Sequence, residues 1–219
     1  MGEEIHFKEK TIMFIRKIIN KLFHLRRGLL GKWYKFFNPI KFRLLGAKLG
    51  ENSCMRNKVY FQVEDGAEVV IGSYFAVNSG DNINPLCGNN NTSIFVDKNA
   101  KLTIGDKSGI SGGCIWVTDS ITIGNYVNIG ANCIIMDGDV HNIDWQMRRK
   151  DRVPNANIPY KKSPIVIEDD VWLGCNVQVL KGVHIGARSV IGAGSIVTQN
   201  IPSDCIAVGN PCKIVKRMS

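Results

Sequence analysis

The sequence predicts an all-β solenoid, a chain wound into stacked coils. Three observations carry that prediction. Over residues 167–202 apolar side chains recur at an unbroken step of six, as Ile167, Leu173, Val179, Ile185, Ile191 and Val197. Four places after each stands Val171, Val177, Val183, Ser189, Ser195 or Ile201, all β-branched or small. Glycine follows the first residue directly in three of the six units, as Gly174, Gly186 and Gly192. A step of six fits neither an amphipathic helix, at about 3.6, nor an exposed strand, at about 2, so a repeat architecture takes their place. Each unit is then a short extended rung closed by a turn. Its first and fifth residues point inward, and glycine permits the unusual dihedrals of the turn. One rung cannot bury its own apolar face, so coils must stack.

The length of 219 residues accommodates one such domain, 45–219, and an N-terminal arm, 1–44. The net charge of +9 is concentrated in the arm. Residues 1–48 hold twelve Lys and Arg against three Glu, whereas 49–219 hold sixteen of each sign. The pattern predicts a helix over 11–37, with Ile12, Ile15, Ile19, Leu22 and Phe23 on one face and Arg16, Lys17, Lys21, Arg26 and Arg27 around it. Gly28 and Gly31 are expected to interrupt it before an aromatic cluster of Trp33, Tyr34, Phe36 and Phe37. Charges break every apolar run, which excludes a secretory signal and a membrane span. Aromatic residues beside lysines suit the surface of an anionic membrane. A helix packed on the solenoid, or on a partner, is the alternative. Nothing downstream reads nucleic-acid bases, so no nucleic-acid partner is expected.

The rungs begin with Leu49-Gly50, continue through Val63, Ala67, Ile71 and Phe75, and keep the step of six at Val77 and Ile83. Residues 81–92, rich in Asn and Gly, read as a loop. Repeats resume with Val96, Ala100, Ile104, Ser108 and Ile110, slip in register at 118–120, and continue through Ile123, Val127, Ile129 and Ile135. Cys114 and Cys133 occupy the inward small-residue slot of their hexads. Seven cysteines without a CxxC pair fit buried reduced thiols better than disulfides or zinc ligands, which places the chain in the cytoplasm and predicts no metal site. The period then stops for an insertion over 137–164, and loops this long inside a repeat domain are usually functional or disordered. It contains Asp137-Gly-Asp139-Val-His141, Trp145, a basic run from Arg148 to Arg152, Pro154 and Pro159.

The stretches Ile167-Glu-Asp-Asp-Val-Trp-Leu-Gly174, Ile191-Gly-Ala-Gly-Ser195 and Ile201-Pro, with Gly209-Asn-Pro211, resemble the hexapeptide-repeat acyltransferases. The nearest likeness is to galactoside, maltose and surface-polysaccharide O-acetyltransferases. The resemblance is strong over 104–217, weaker over 45–103 and absent before that. It implies a left-handed parallel β-helix with three units per coil, assembled as a homotrimer, with acetyl-CoA as the donor. It also implies that the 137–164 loop carries the catalytic histidine towards a cleft between two subunits.

On that resemblance His141 is the general base. A sugar hydroxyl is a poor nucleophile until its proton leaves, and an imidazole titrates near neutrality. Asp137 and Asp139 are candidates to orient His141 or to bind the acceptor, and turn formation is the competing role for both. Trp172 and Cys175 match positions along the pantetheine channel, although Cys175 replaces the more familiar Ser or Ala. Ala193, Thr198 and Gln199 match residues whose backbone meets the pantetheine arm. Lys213 and Lys216 match basic residues near the nucleotide's phosphates, with a solvated tail as the alternative. Ser111 and Asp119 lie near where the family contacts its acceptor. No Gly-x-Ser-x-Gly or Cys–His arrangement suggests a covalent intermediate, so direct transfer is expected.

Four scattered histidines cannot supply the zinc cluster of a γ-class carbonic anhydrase. Serine acetyltransferases carry a larger helical N-terminal domain, and lipid A acyltransferases a helical C-terminal one. The expected function is therefore acetyl transfer to a saccharide hydroxyl, in surface-polysaccharide or lipid-linked saccharide synthesis. Acetylation of an amino sugar or another small molecule is the enzymatic alternative, and a non-catalytic hexapeptide scaffold subunit is the alternative outside enzymes.

Overall fold

A computed structural model describes residues 2–150 and 158–218, with side chains described from Lys10 onward. Arg152 and Pro154 of the predicted loop lie outside the described residues. The repeat region winds into coils with three faces. The first face stacks Lys48–Leu49, Glu68–Ile71, Lys101–Ile104, Ser120–Ile123, Ile165–Ile167 and His184–Ile185 into one sheet. The second face runs from Cys54–Arg56 to Cys205–Val208, and the third from Tyr60–Val63 to Ile196–Val197. All pairings along these faces are parallel. Lys213–Arg217 alone returns antiparallel, against Cys205–Val208. In the clean region Val166 pairs with His184, Trp172 with Val190 and Gln178 with Ile196, each eighteen residues on. Three hexads therefore make one coil.

The inward positions predicted for the six units are the core. Ile167, Leu173, Val179, Ile185, Ile191 and Val197 are all buried, and so are the fifth-position residues from Val171 to Ile201. Where the fifth position is serine, its hydroxyl bridges two corners. Ser108 Oγ donates to Gly124 O at 2.8 Å and accepts from Val127 N at 2.9 Å, and Ser189 Oγ donates to Pro202 O at 2.7 Å. The buried hydroxyls thus keep their partners.

Two expectations need correction. Cys133 fills its inward slot, where burial pushes its thiol pKa up to about 12, but Cys114 does not. The corner after Ile110 is one residue shorter than the corner after Ile129, so Ser111 meets Ala131 and Cys114 pairs with Ile134 on the outer surface. A slip of one residue turns a strand side chain to the opposite face. Ile83 keeps the numerical step but stands in the expected 81–92 loop. The helix runs unbroken over Gly2–Leu44, through Gly28, Gly31 and Pro39. Each glycine costs about 1 kcal/mol relative to alanine, too little to end a helix with good formers on both sides.

The last turns of that helix close the first coil. Asn38 Nδ2 donates to Met55 O at 3.2 Å and Asn57 O at 2.8 Å, and Lys41 Nζ donates to Val59 O. Burial, with Lys58 nearby, holds the Lys41 pKa below the usual lysine range. Phe42 is fully buried and stacks on Phe61 with ring centroids 3.8 Å apart. Phe42→Ala should lower unfolding stability by about 3–5 kcal/mol, read from the urea midpoint. Phe36→Ala, at an exposed position, should stay within about 0.5 kcal/mol.

Corner ties between coils also carry charge. Glu168 accepts from Ala187 N at 2.7 Å and pairs with His184 Nε2 at 2.7 Å, and these contacts hold its carboxyl below the usual range, the Ala187 amide foremost. A depressed carboxyl pKa adds stability above the unfolded value, and that stability is lost as pH falls through the folded one. The difference in urea midpoint between wild type and Glu168→Gln should therefore be full above the unfolded carboxyl range, at about pH 4.3, and shrink as pH falls below it through the lower folded value.

Candidate functional site

Two insertions leave the coils, and both do so at corners. Val77 pairs with Ile110, thirty-three residues on, because a loop intervenes before the third face. Thr122 pairs with Val166, forty-four residues on, because the chain departs after Ile134–Met136 and returns at Ile165–Ile167. The second insertion carries His141, at the corner between the third and first faces.

Its base is tightly held. Asp137 is fully buried and accepts from Thr118 N at 2.6 Å, Thr118 Oγ1 at 2.8 Å and Asp119 N at 2.9 Å. Where a further coil would have supplied carbonyls, this carboxylate takes the corner amides instead. Asp137 thus takes the turn-forming role named above as the competing one, with its oxygens engaged by the corner amides. The returning strand completes the base, with Ser163 N donating to Asp137 O at 2.9 Å and Asp139 N to Lys161 O at 3.0 Å. Lys162 Nζ reaches Thr118 O at 2.8 Å.

Asp139 forms an ion pair with Lys181, Oδ1 to Nζ at 2.5 Å, while its Oδ2 is buried without a partner among the described residues. Val140 follows at φ +61°, a left-handed conformation that a β-branched residue adopts only under constraint, at about 1–3 kcal/mol. The clamp on either side supplies that constraint. His141 comes next and is exposed. Beyond it, Asn142 Nδ2 donates to Pro159 O at 2.7 Å, and Asp144 Oδ1 accepts from Gln146 N at 2.7 Å at the start of the short helix Trp145–Lys150. Asn142, Ile143, Pro159, Tyr160 and Lys161 line a cleft of about 260 Å³ beside this turn.

Asp119, Thr198 and Gln199 share the His141 corner and are exposed. The other predicted residues stand elsewhere. Trp172 projects from the second face, 55% exposed, between Asn128 and Val190 in the neighbouring coils. Ser111, Cys175 and Ala193 stack on the corner between the second and third faces. Ser111 meets Ala131, Asn176 N donates to Ala131 O at 2.7 Å, and Gly194 N donates to Cys175 O at 2.8 Å. A Cβ on Gly174 would lie 2.7 Å from Ala193 N, so the coils can approach there only with glycine. Lys213 and Lys216 are exposed on the antiparallel terminal strand.

The predicted site is thus divided between two ledges, with the third face between them. That face is about three residues wide, or ~10 Å. Sequence reasoning missed Lys181 and Thr118, whose roles depend on partners 42 and 19 residues away. It also missed an outward row on the third face, where Phe95, Trp116 and Met136 are register neighbours. Phe95, Cys114 and Trp116 line a groove of about 470 Å³, and Trp116 Nε1 donates to Asp97 Oδ1 at 3.1 Å. The alternation of side chains on either side of the inward residues was the available signal.

Three parallel sheets built from hexads define a hexapeptide-repeat β-helix, and the arrangement fits the left-handed form. Residues 164–199 match the family described as bacterial transferase hexapeptide (six repeats), as the resemblance implied. The chain is 39% identical over 99 residues to a galactoside O-acetyltransferase of Lactococcus lactis, covering 45% of this chain and 44% of that protein. It is 43% identical over 98 residues to a putative acetyltransferase of Schizosaccharomyces pombe, with coverage of 45% and 44%. The chain spans about half the length of the curated relatives it matches. Among solved structures, a hexapeptide-repeat acetyltransferase of Vibrio cholerae complexed with acetyl coenzyme A is similar at TM-score 0.53 and 26% identity, over 91% of this chain and 88% of that one. A maltose O-acetyltransferase of Clostridium difficile is similar at TM-score 0.53 and 25% identity, over 93% and 86%.

Lys181→Met should leave the Asp139 carboxylate unpaired and destabilise the loop base by about 1–3 kcal/mol. Trypsin should then cut near Arg148–Lys150 faster than in wild type, while Lys181→Arg restores the wild-type rate.

Proposed function

We propose that the protein transfers the acetyl group of acetyl-CoA to a hydroxyl of a saccharide, working as a trimer of left-handed β-helices. The observation that carries this reading is the exposed His141, presented by a strained and clamped turn at one ledge, while the donor-type residues stand on another. A site that needs both ledges is closed by a second copy of the chain. The His141 corner of one protomer then faces Trp172, Cys175 and Ala193 of its neighbour. Relatives named galactoside and maltose O-acetyltransferase, and a neighbour holding acetyl coenzyme A, support the same chemistry.

In the reaction the acceptor oxygen attacks the thioester carbonyl carbon as His141 removes its proton. The tetrahedral oxyanion is stabilised by backbone N–H donors. The carbon–sulfur bond breaks, the imidazolium returns the proton to the departing thiolate, and acetyl ester and free coenzyme A leave. Lys213 and Lys216 serve as point charges for the nucleotide phosphates. Asp119 and Ser111 contact the acceptor, while Asp139, with Lys181, sets the direction of the histidine turn. Thr198 and Gln199 meet the donor from the histidine side. The 1–44 arm stands apart from this chemistry and holds the enzyme at the inner face of the plasma membrane, where lipid-linked saccharides are assembled.

His141→Ala should fold with unchanged thermal stability and lose about 10²–10⁴-fold in the rate of coenzyme A release. A folded variant with wild-type turnover would refute the assignment. The double change Lys213→Ala and Lys216→Ala should raise the KM for acetyl-CoA and leave that for the saccharide unchanged. An effect confined to the saccharide would remove both lysines from the donor site.

A further inference from the structure

The N-terminal helix presents more apolar surface to solvent than any other part of the described chain. Ile15, Ile18, Leu22, Leu29, Trp33 and Phe36 are between 43% and 70% exposed, and among the described residues no strand or loop covers them. At about 3.6 residues per turn these six fall on one side of the cylinder, and with their apolar neighbours they span half its circumference. The opposite half is polar and basic, with Lys17, His24 and Lys35 near its middle. Both borders between the halves also carry cations, Arg16 and Arg27 along one and Lys21 and Lys32 along the other. Arg26 is the single basic residue inside the apolar half, and its stem is long enough to bring its charge to the border.

No helix among the described residues is long and apolar enough to cross a membrane. An apolar half-cylinder edged by cations on both sides matches a different geometry, in which the helix lies flat with its apolar side among acyl chains and its borders at the anionic headgroups. Attachment to the solenoid leaves that side clear. The helix is held through Asn38, Lys41 and Phe42 at its end, and Arg27 donates to Asn82 O at 2.9 Å from the basic half. The contacts that fix the helix to the coils therefore do not compete for the apolar side.

We infer that residues 12–37 form an in-plane docking surface for an anionic lipid bilayer, with the apolar side inserted and Arg16, Lys21 and Lys32 against the headgroups. The inference deepens the placement proposed above and rests on that reading only for its biological purpose, since docking requires no catalysis. It commits to a bilayer and not to a second copy of the helix, because a cation row on both borders would meet like charge in a bundle. A lipid surface also orders the chain so that lipid-linked acceptors reach it by diffusion in two dimensions.

The test uses the full chain with vesicles of phosphatidylcholine and phosphatidylglycerol, at low salt and at about 0.5 M salt, where the Debye length falls below roughly 5 Å. Wild type should sediment with anionic vesicles, bind neutral ones at least about tenfold less, and release in part as salt rises. The double change Leu22→Glu and Leu29→Glu should abolish sedimentation, while Lys21→Ala with Lys32→Ala weakens it and flattens its salt dependence. Equal sedimentation of wild type and the Glu variant would overturn the inference. So would absent sedimentation with a fall in solution mass for the Glu variant, which would give the apolar side to another protomer. Acetyl transfer to a soluble saccharide, measured on the same samples, separates the two readings. Binding without turnover removes the proposed enzyme and keeps the docking surface, and turnover without binding does the reverse.

Discussion

Everything in this molecule depends on coils lying in register, so that a corner amide of one meets a carbonyl of the next. Gly124 N donates to Ile167 O, Gly174 N to Ile191 O and Gly186 N to Ile201 O, each at 2.8 Å. Corners that turn so tightly need left-handed backbone. Asn132 and Asn176 adopt it at φ +59° and +57°, where a short polar side chain tolerates it. Tyr126 and Arg188 adopt it at +57° and +60° with less ease. Contacts along the corner offset the strain, Lys107 Nζ to Tyr126 OH at 3.0 Å and Arg188 with both oxygens of Asp204 at 2.6 Å. Register, corner geometry and the inward hexad positions are one constraint seen from three sides.

That constraint decides where chemistry can be placed. A rung cannot lengthen without turning its inward residues outward, so added chain must leave at a corner. Both insertions obey this, and the longer one is stitched back by Asp137, Lys162 and the Asp139–Lys181 pair before the next coil begins. The coils supply rigidity and the corner supplies freedom. His141 stands two residues beyond the last of the stitches, next to a strained Val140, as expected of a group whose direction is set by its scaffold.

The coils were legible in the sequence because a hexad is a local pattern, repeated without interruption from Ile167 onward. The helix was legible in kind but not in extent, since Gly28, Gly31 and Pro39 are weak local signals against a long cooperative element. Cys114 was misread because a corner shortened by one residue leaves no mark in composition, yet it inverts the next strand. The division of the site into two ledges was not legible. It depends on which face each residue occupies after the chain has turned eighteen or forty-four residues away from its spatial neighbour. Asp137 illustrates the same limit: an acidic residue before a loop reads as chemistry, and only the amides of Thr118 and Asp119 reveal that its oxygens are already occupied.

The antiparallel return of Lys213–Arg217 has a consequence for association in solution. A stack of parallel rungs ends in unpaired backbone groups, and an identical stack could continue it, one molecule on the next. On the second face that continuation is blocked, because the final strand runs in the opposite direction and is exposed along its whole length, with Lys213, Lys216 and Arg217 along it. Like charges would meet like charges at such a junction. With the helix turn at Asn38–Phe42 packed on the first coil, both outermost coils carry an element that departs from the parallel rungs between them.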